Sequence, residues 1–195
     1  SLRLKINTSI AMKKIFFVTS MLLAFMLSLC AYANTLTSDL KTNIIRLHIL
    51  AKSNSDTDQK IKLAVRDEVI NAVSDIPITD TEKFLAVSEK TANEYLKRNN
   101  IPYRAKARYG TFTFPRKTYE NITLPAGKYR GVRILLDEGH GENWWCVMYP
   151  PLCVTEKSEE ASEVLKKSLN DETYKVITKK PEVRFKLLEL LSQII

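Results

Sequence analysis

The chain has 195 residues with 30 basic and 22 acidic side chains, and its formal net charge is +8. Four of the basic residues and none of the acidic ones lie in residues 1–33, which have the layout of an export signal, so the other 162 residues carry a net charge of only +4. A charge this weak and evenly spread argues against nucleic-acid binding and suits a protein near an anionic membrane or wall surface.

An apolar run follows two lysines near the N-terminus. Lys13 and Lys14 precede residues 15–29, and Ala31 and Ala33 are small residues at positions −3 and −1 of a cut after Ala33. A charged start, an apolar centre and a small-residue cleavage site are typical of a secretory signal peptide. The run is short for a bilayer, which needs about 20 helical residues.

This pattern divides the chain into three parts. We expect residues 1–11 to be an upstream extension, residues 12–33 to be a cleaved signal peptide, and residues 34–195 to be one exported domain without a further spanning segment. Two alternatives remain: an uncleaved N-terminal anchor and, less favoured, a lipoprotein signal that ends at Cys30.

The first half of the exported part predicts a strand and two helices. After a polar leader at residues 35–42, alternation over residues 43–50 predicts a strand with one apolar face and with Arg46 and His48 on the other face. The pattern Asp56 to Gln59 predicts a capped helix to about residue 74, and the capping box Thr79 to Glu82 predicts a second helix that ends before Pro102.

The second half predicts a sheet and then helices. Alternation over residues 103–114 changes phase at Gly110, which indicates a β-bulge. Strands at 128–136 and 144–149 complete an antiparallel meander, and helices follow at 158–169 and after Pro181. The expected fold is therefore α+β, a single domain with an antiparallel meander sheet and flanking helices.

A secreted hydrolase acting on the cell wall is the rival hypothesis to a protein without enzymatic activity. The chain has neither a glycine-rich phosphate loop nor a strand–serine–helix elbow. A metal or catalytic site would have to bring His48, Asp67 and His140 into one cleft, and a cysteine enzyme would pair Cys146 with His140. The oxygen-rich segment 53–58 lacks the glycine and distal glutamate of a calcium loop. We therefore expect no catalytic residue, metal or cofactor.

Two groups of residues are candidates for contact with a partner. Arg104, Lys106 and Arg108 share one strand face, which is either a basic contact patch or a solvated sheet face. The loop 137–143 leads into two tryptophans, of which alternation sends one into the core and the other outward as an anchor. The predicted contact residues in and after this loop are His140, Asn143, Trp144 and Trp145.

Two cysteines remain after the export signal. Cys146 and Cys153 close a short loop that contains two prolines. In an oxidising compartment such a pair is a disulfide candidate, and the alternative is two reduced, buried cysteines.

Six runs of the chain carry a family resemblance: Arg46 to Ser55, Asp58–Gln59–Lys60, Val65–Arg66–Asp67, Leu124 to Tyr129, Gly139 to Val147 and Pro150 to Cys153. Together these runs resemble the stage II sporulation protein R family. The resemblance covers nearly all of the exported part, and the Gly-x-Gly-x-Asn-Trp-Trp-Cys run is the most specific of its motifs.

The resemblance implies a role as a signal between cells. Members are exported from the forespore into the space between its membrane and the mother-cell membrane. There they activate a membrane-embedded aspartic protease that removes the pro-sequence of the mother-cell sigma factor. The resemblance therefore implies this protease as the partner and supplies no catalytic residues.

Overall fold

The computed structural model describes residues 2–119, 122–150, 152 and 158–178, with side chains described from residue 12 onward and, in the last segment, from residue 162. The helices are α1 (Leu2–Asn43), α2 (Asp56–Val73), α3 (Thr81–Arg98), α4 (Ser158–Ser168) and α5 (Asp171–Thr178). The strands are β1 (Ile45–Leu50), β2 (Ala105–Phe114), β3 (Lys117–Tyr119), β4 (Ile122–Leu124), β5 (Gly127–Leu136) and β6 (Asn143–Tyr149). This is the predicted α+β composition.

The main sheet has the strand order β2-β5-β1-β6, and β3 pairs with β4 as a separate ribbon. β1 lies between β5 and β6, parallel to β5 and antiparallel to β6. The predicted antiparallel meander is therefore wrong, because the sheet is mixed and its first strand is central. A central strand covered on both sides has no face left for water, and accordingly Arg46 and His48 are buried together with their apolar neighbours.

The two faces of the sheet pack against different helices. On one face, Leu47, Ile49, Val132 and Ile134 pack with apolar residues of α2 and α3. On the other face, Phe114, Tyr129 and Val147 pack with the end of α1, with β4 and with α4 and α5, and we call this cluster the second core. The sheet is thus the middle of three layers.

β2 has no bulge at Gly110, and the two cores explain why its apolar residues change phase there. β2 pairs with β5 in an unbroken register from Ala105↔Leu136 to Phe114↔Gly127, so the predicted bulge is wrong. Tyr109 contacts the α2 and α3 side, whereas Phe114 contacts the opposite core. The apolar residues change phase because different layers cover the two ends of the strand.

The residues predicted to be a polar leader belong to α1 instead. Leu36 and Leu40 are each 3% exposed and pack into the second core. The Asp39 carboxylate accepts hydrogen bonds from Asn43 Nδ2 at 2.9 Å and from the Asn170 backbone N–H at 3.0 Å. Helical spacing of two leucines among polar residues was the available signal, and it was missed. This end of α1 is therefore part of the folded domain.

The N-terminal part of α1 is long and apolar enough to cross a membrane, and it is the one such helix among the described residues. Its side chains from Met12 to Leu27 are exposed. This helix is compatible with a signal peptide.

The predicted helices α2, α3 and α4 are confirmed, with corrected starts. Ser55 caps α2, because its side chain accepts a hydrogen bond from the Asp58 N–H, and Asp80 caps α3 by accepting from the Lys83 N–H. Asp56 and Thr79 are thus not the capping residues. The short helix α5 was not predicted, and the helix predicted after Pro181 lies outside the described residues.

Candidate functional site

Four side chains form a row across the sheet, on the face opposite α2 and α3. The strand registers place Arg108 of β2 beside Arg133 of β5, Arg133 beside His48 of β1, and His48 beside Trp145 of β6. We call these four residues the transverse row. Its edge end is cationic and its other end is aromatic.

His48 is the centre of this row and is 1% exposed. Its ring stacks on Trp145 with centroids 5.0 Å apart and planes 10° apart, and Phe112 and Phe114 lie at 5.1 and 5.0 Å. Arg133 Nε donates a hydrogen bond to His48 Nε2 at 2.9 Å, so Nε2 is the acceptor and the Nδ1 proton points to Asn143 Oδ1 at 3.2 Å. His48 is therefore held as one neutral tautomer.

Burial is the main reason that the pKa of His48 falls from 6.5 to about 4. The charges of Arg133 and Arg46 lower this pKa further, and the hydrogen bond to Asn143 opposes them. At neutral pH the ring is uncharged, which keeps its Nε2 lone pair available to Arg133.

Arg133 is fixed by two contacts. Besides its bond to His48, its guanidinium carbon lies 4.1 Å from the centroid of the Phe112 ring. Burial and the neighbouring Arg108 both lower the pKa of Arg133, burial more strongly. None of the ion pairs among the described residues includes Arg108 or Arg133. The pair is thus an oriented, half-exposed cation site that suits a carboxylate or phosphate.

A third arginine, Arg46, lies beneath this face. Arg46 is fully buried, with its guanidinium carbon 4.4 Å from the Phe114 ring centroid and 5.2 Å from that of Tyr129. It donates to the Pro115 carbonyl at 3.3 Å and to the Tyr119 hydroxyl at 3.2 Å, whereas its Nε has no hydrogen-bond partner among the described residues. Arg46 therefore ties the sheet to β3 and supports the aromatic rings under the row.

The loop 137–143 borders the same face and is fixed to the start of α2. The Gly141 N–H donates to the Ala51 carbonyl at 2.8 Å, and the Glu142 N–H donates to Asn54 Oδ1 at 2.7 Å. A Cβ on Gly141 would lie 2.3 Å from the Ser53 carbonyl oxygen, so only glycine fits there. These bonds therefore fix the loop to the segment between β1 and α2.

Comparison with known proteins identifies the family. The family model described as "Stage II sporulation protein R (spore_II_R)" matches residues 41–159. The chain belongs to the stage II sporulation protein R family. Stage II sporulation protein R of Bacillus subtilis (strain 168) is 33% identical over 180 residues, which cover 77% of this chain and 80% of that protein. No solved structure matches this chain. The resemblance drawn from the sequence runs is therefore confirmed.

In this family member, two groups of predicted contact residues lie on one surface. Arg108 and Trp145 belong to the transverse row, and Asn143 bonds to its His48. A Cβ on Gly139 would meet the side chains of Leu50 and Leu135, which lie on the same face, so this part of the loop borders it. The predicted basic strand and the predicted loop therefore meet. We call this surface the cationic–aromatic face, and its members are Lys106, Arg108, Phe112, Arg133, His48, Asn143 and Trp145.

The remaining predicted residues have different positions. His140 is exposed on the bordering loop, and Arg104 is exposed just before β2. Trp144 lies on the opposite sheet face, with the Arg66 guanidinium 5.2 Å from its ring centroid. The two tryptophans lie on opposite sheet faces, as alternation predicts, and both are half-buried because layers cover both faces of β6. A contact role for either one stays a prediction.

The cysteine pair is described only in part. Cys146 is buried in β6 opposite Leu47, and Cys153 lies outside the described residues. The bridge stays a prediction.

His48 and Asp67, two of the residues named for a hydrolase site, have other partners in the described structure. Among the described side chains, no group of three or more His, Cys, Asp and Glu residues is placed to hold a metal ion. His48 is bonded to Arg133 and Asn143, and Asp67 pairs with Arg66 at 2.7 Å. Asp58 accepts from Ser53 Oγ at 2.5 Å and from the Tyr103 hydroxyl at 3.0 Å, and these bonds, the Ser53 bond first, lower its pKa against the effect of burial. The bonds of Asp58 thus stabilise the N-terminal turn of α2.

Sequence reasoning missed three members of the site. His48 was placed on a polar strand face, and Arg133 and Phe112 were counted only as parts of strands. The signal for Arg133 was its phase in β5: it alternates with the inward-facing Val132 and Ile134. Its neighbours in the row depend on the strand order, which no local pattern reveals.

Proposed function

We propose that this chain is an exported signalling protein of endospore formation. In this proposal it passes from the forespore into the space between the two membranes. There it activates a membrane-embedded aspartic protease, which processes the precursor of the mother-cell sigma factor. The observation that carries the proposal is membership of the stage II sporulation protein R family over most of the chain.

The N-terminal segment supports export. Lys13 and Lys14 precede an exposed apolar helix, as a signal for translocation across a membrane requires. The folded domain, which includes the end of α1, would then act on the far side of the membrane, where an exposed face can meet a membrane protein.

The cationic–aromatic face is the part of the domain best suited to that contact. It combines exposed cations at Lys106 and Arg108 with half-buried aromatic rings at Phe112 and Trp145. Rings of this kind supply contact area at low entropic cost, and arginines that form no ion pair with the described residues favour an acidic partner surface. Because the hydrogen bonds of His48 and the bordering loop hold this face in place, little ordering is required on binding.

Deletion of the gene in its own host tests the proposal. We expect the sigma-factor precursor to accumulate unprocessed, because its protease is not activated. The full chain should restore processing, whereas a chain without residues 12–33 should not, although its product accumulates inside the forespore. Normal processing in the deletion strain, or full restoration by the chain without the signal, would contradict the proposal.

A further inference from the structure

β2 is an edge strand, and α3 covers only the first part of its free edge. In an antiparallel strand, alternate residues direct both backbone groups away from the paired neighbour. Asn93 Oδ1 accepts from the Ala105 N–H at 3.0 Å, and Asn93 Nδ2 donates to the Ala105 carbonyl at 2.9 Å. Glu89 Oε2 accepts from the Ala107 N–H at 2.8 Å. The backbone N–H and C=O groups that point away from β5 therefore belong to the odd-numbered residues of β2.

The rest of this edge is uncovered by the described residues. The same alternation turns the backbone groups of Tyr109, Thr111 and Thr113 outward. No hydrogen bond to these groups is found among the described residues, and the side chains of Thr111 and Thr113 are exposed. A row of free N–H and C=O groups on a regular strand is a template for pairing with another extended chain.

The charge around this edge selects the kind of chain that fits. β2 and the adjacent β5 contain five basic residues and no acidic residue. Lys128 and Arg130 are the register partners of Thr113 and Thr111. The Arg130 guanidinium donates to the Thr42 carbonyl, so the exposed Lys128 is the cation of this pair that lies nearest the open segment. The cations of β2 and β5 are Lys106, Arg108, Lys128, Arg130 and Arg133. An acidic segment would be attracted, and a basic one repelled.

We propose that the free edge of β2 from Tyr109 to Thr113 binds an extended acidic segment of the partner protein as an added strand. This inference rests on the proposed function for the identity of the partner. The main-chain groups of Tyr109, Thr111 and Thr113 supply the hydrogen bonds, as in other cases of strand addition. An acidic residue of the added strand that lies opposite Arg108 adds a fifth residue to the transverse row. Its Cβ then lies about 5 Å from the Cβ of Arg108.

A synthetic peptide of alternating glutamate and valine is the probe, and one of alternating lysine and valine is its control. The full chain in detergent should bind the glutamate peptide, and amide hydrogen exchange at Tyr109, Thr111 and Thr113 should slow at least tenfold. The lysine peptide should leave these rates unchanged.

Two substitutions at one position separate main-chain pairing from other modes of binding. Thr111→Pro removes the outward N–H but no bond to β5, and prolines are tolerated at such edge positions. Thr111→Val keeps that N–H and is the matched control. We expect Thr111→Pro to weaken glutamate-peptide binding at least tenfold and Thr111→Val to change it less than twofold.

Three results would overturn the inference. They are equal binding by Thr111→Pro and Thr111→Val, equal binding of the two peptides, and no binding of the glutamate peptide, in which case the cations only guard the edge. In sporulating cells, Thr111→Pro should block sigma-factor processing while Thr111→Val supports it. If gene deletion blocks processing and Thr111→Pro does not, strand addition is wrong and the proposed function stands.

Discussion

The buried histidine of the transverse row predicts how stability depends on pH. His48 is neutral in the folded protein and has a pKa of about 4, against 6.5 when it is free. As the pH falls below 6.5, the unfolded chain takes up a proton on His48 that the folded chain does not. The folded state therefore loses stability between these two values, and at neutral pH this effect is absent.

The size of the loss follows from the shift in the pKa. One pKa unit corresponds to about 1.4 kcal/mol, so the full shift is worth about 3 kcal/mol, of which about 2 kcal/mol is already lost near pH 5. A domain of this size has a free energy of unfolding of roughly 5–15 kcal/mol, so the loss is easily measured.

Urea denaturation near pH 7, 5.5 and 4 measures it, with His48→Gln as the control. Glutamine has an oxygen for the Arg133 N–H and does not titrate. The wild type should lose about 2–3 kcal/mol more than His48→Gln over this range. Asp58 does not affect this comparison. Its pKa is lowered from 3.8 in the folded protein, so the stability that its ionised form contributes is lost mainly below pH 3.8. If both proteins lose stability in parallel, the neutral, buried state of His48 is wrong.

Three further predictions concern the packing of α1, the cleavage of the export signal and the cysteine pair. Leu40→Ala should lower the free energy of unfolding by about 2–5 kcal/mol, since Leu40 packs in the second core; an unchanged denaturation midpoint would show that this end of α1 is not part of the domain. The exported protein should begin near Asn34, and an intact mass that includes residues 15–29 would indicate an anchor. If Cys146 and Cys153 are bridged, thiol labelling of the unfolded, unreduced exported protein finds no free thiol; two labelled thiols would exclude the bridge.

Local sequence patterns were sufficient to predict most helices and strands but not the order of the strands in the sheet. Alternation placed β1 within two residues of its true start, and polar caps placed α2 and α3 to within a few residues. Strand order depends on pairing between distant segments, so the insertion of β1 between β5 and β6 left no local trace. That insertion is also why the polar residues Arg46 and His48 are buried.

The residues of the candidate site likewise divide into those that local patterns predict and those that depend on strand pairing. Arg108, Asn143 and Trp145 were predicted because exposed cations and loop aromatics can be recognised without knowing their neighbours. Arg133 and His48 were not, since they acquire their roles only when four strands bring them into register. Phe112 likewise becomes a platform for Arg133 only across the β2–β5 pair.

The most direct test of the central claim is sigma-factor processing in sporulating cells whose only copy of the gene carries Arg108→Glu. Arg108 is exposed, so the variant should fold, but the new carboxylate pairs with Arg133 and removes the cation site. Lys60→Glu, an equal charge change on the exposed side of α2, is the matched control. We predict that the precursor accumulates in the Arg108→Glu strain, with normal amounts of exported protein, and is processed in the control. Equal processing in both strains would contradict a signalling role for the cationic–aromatic face.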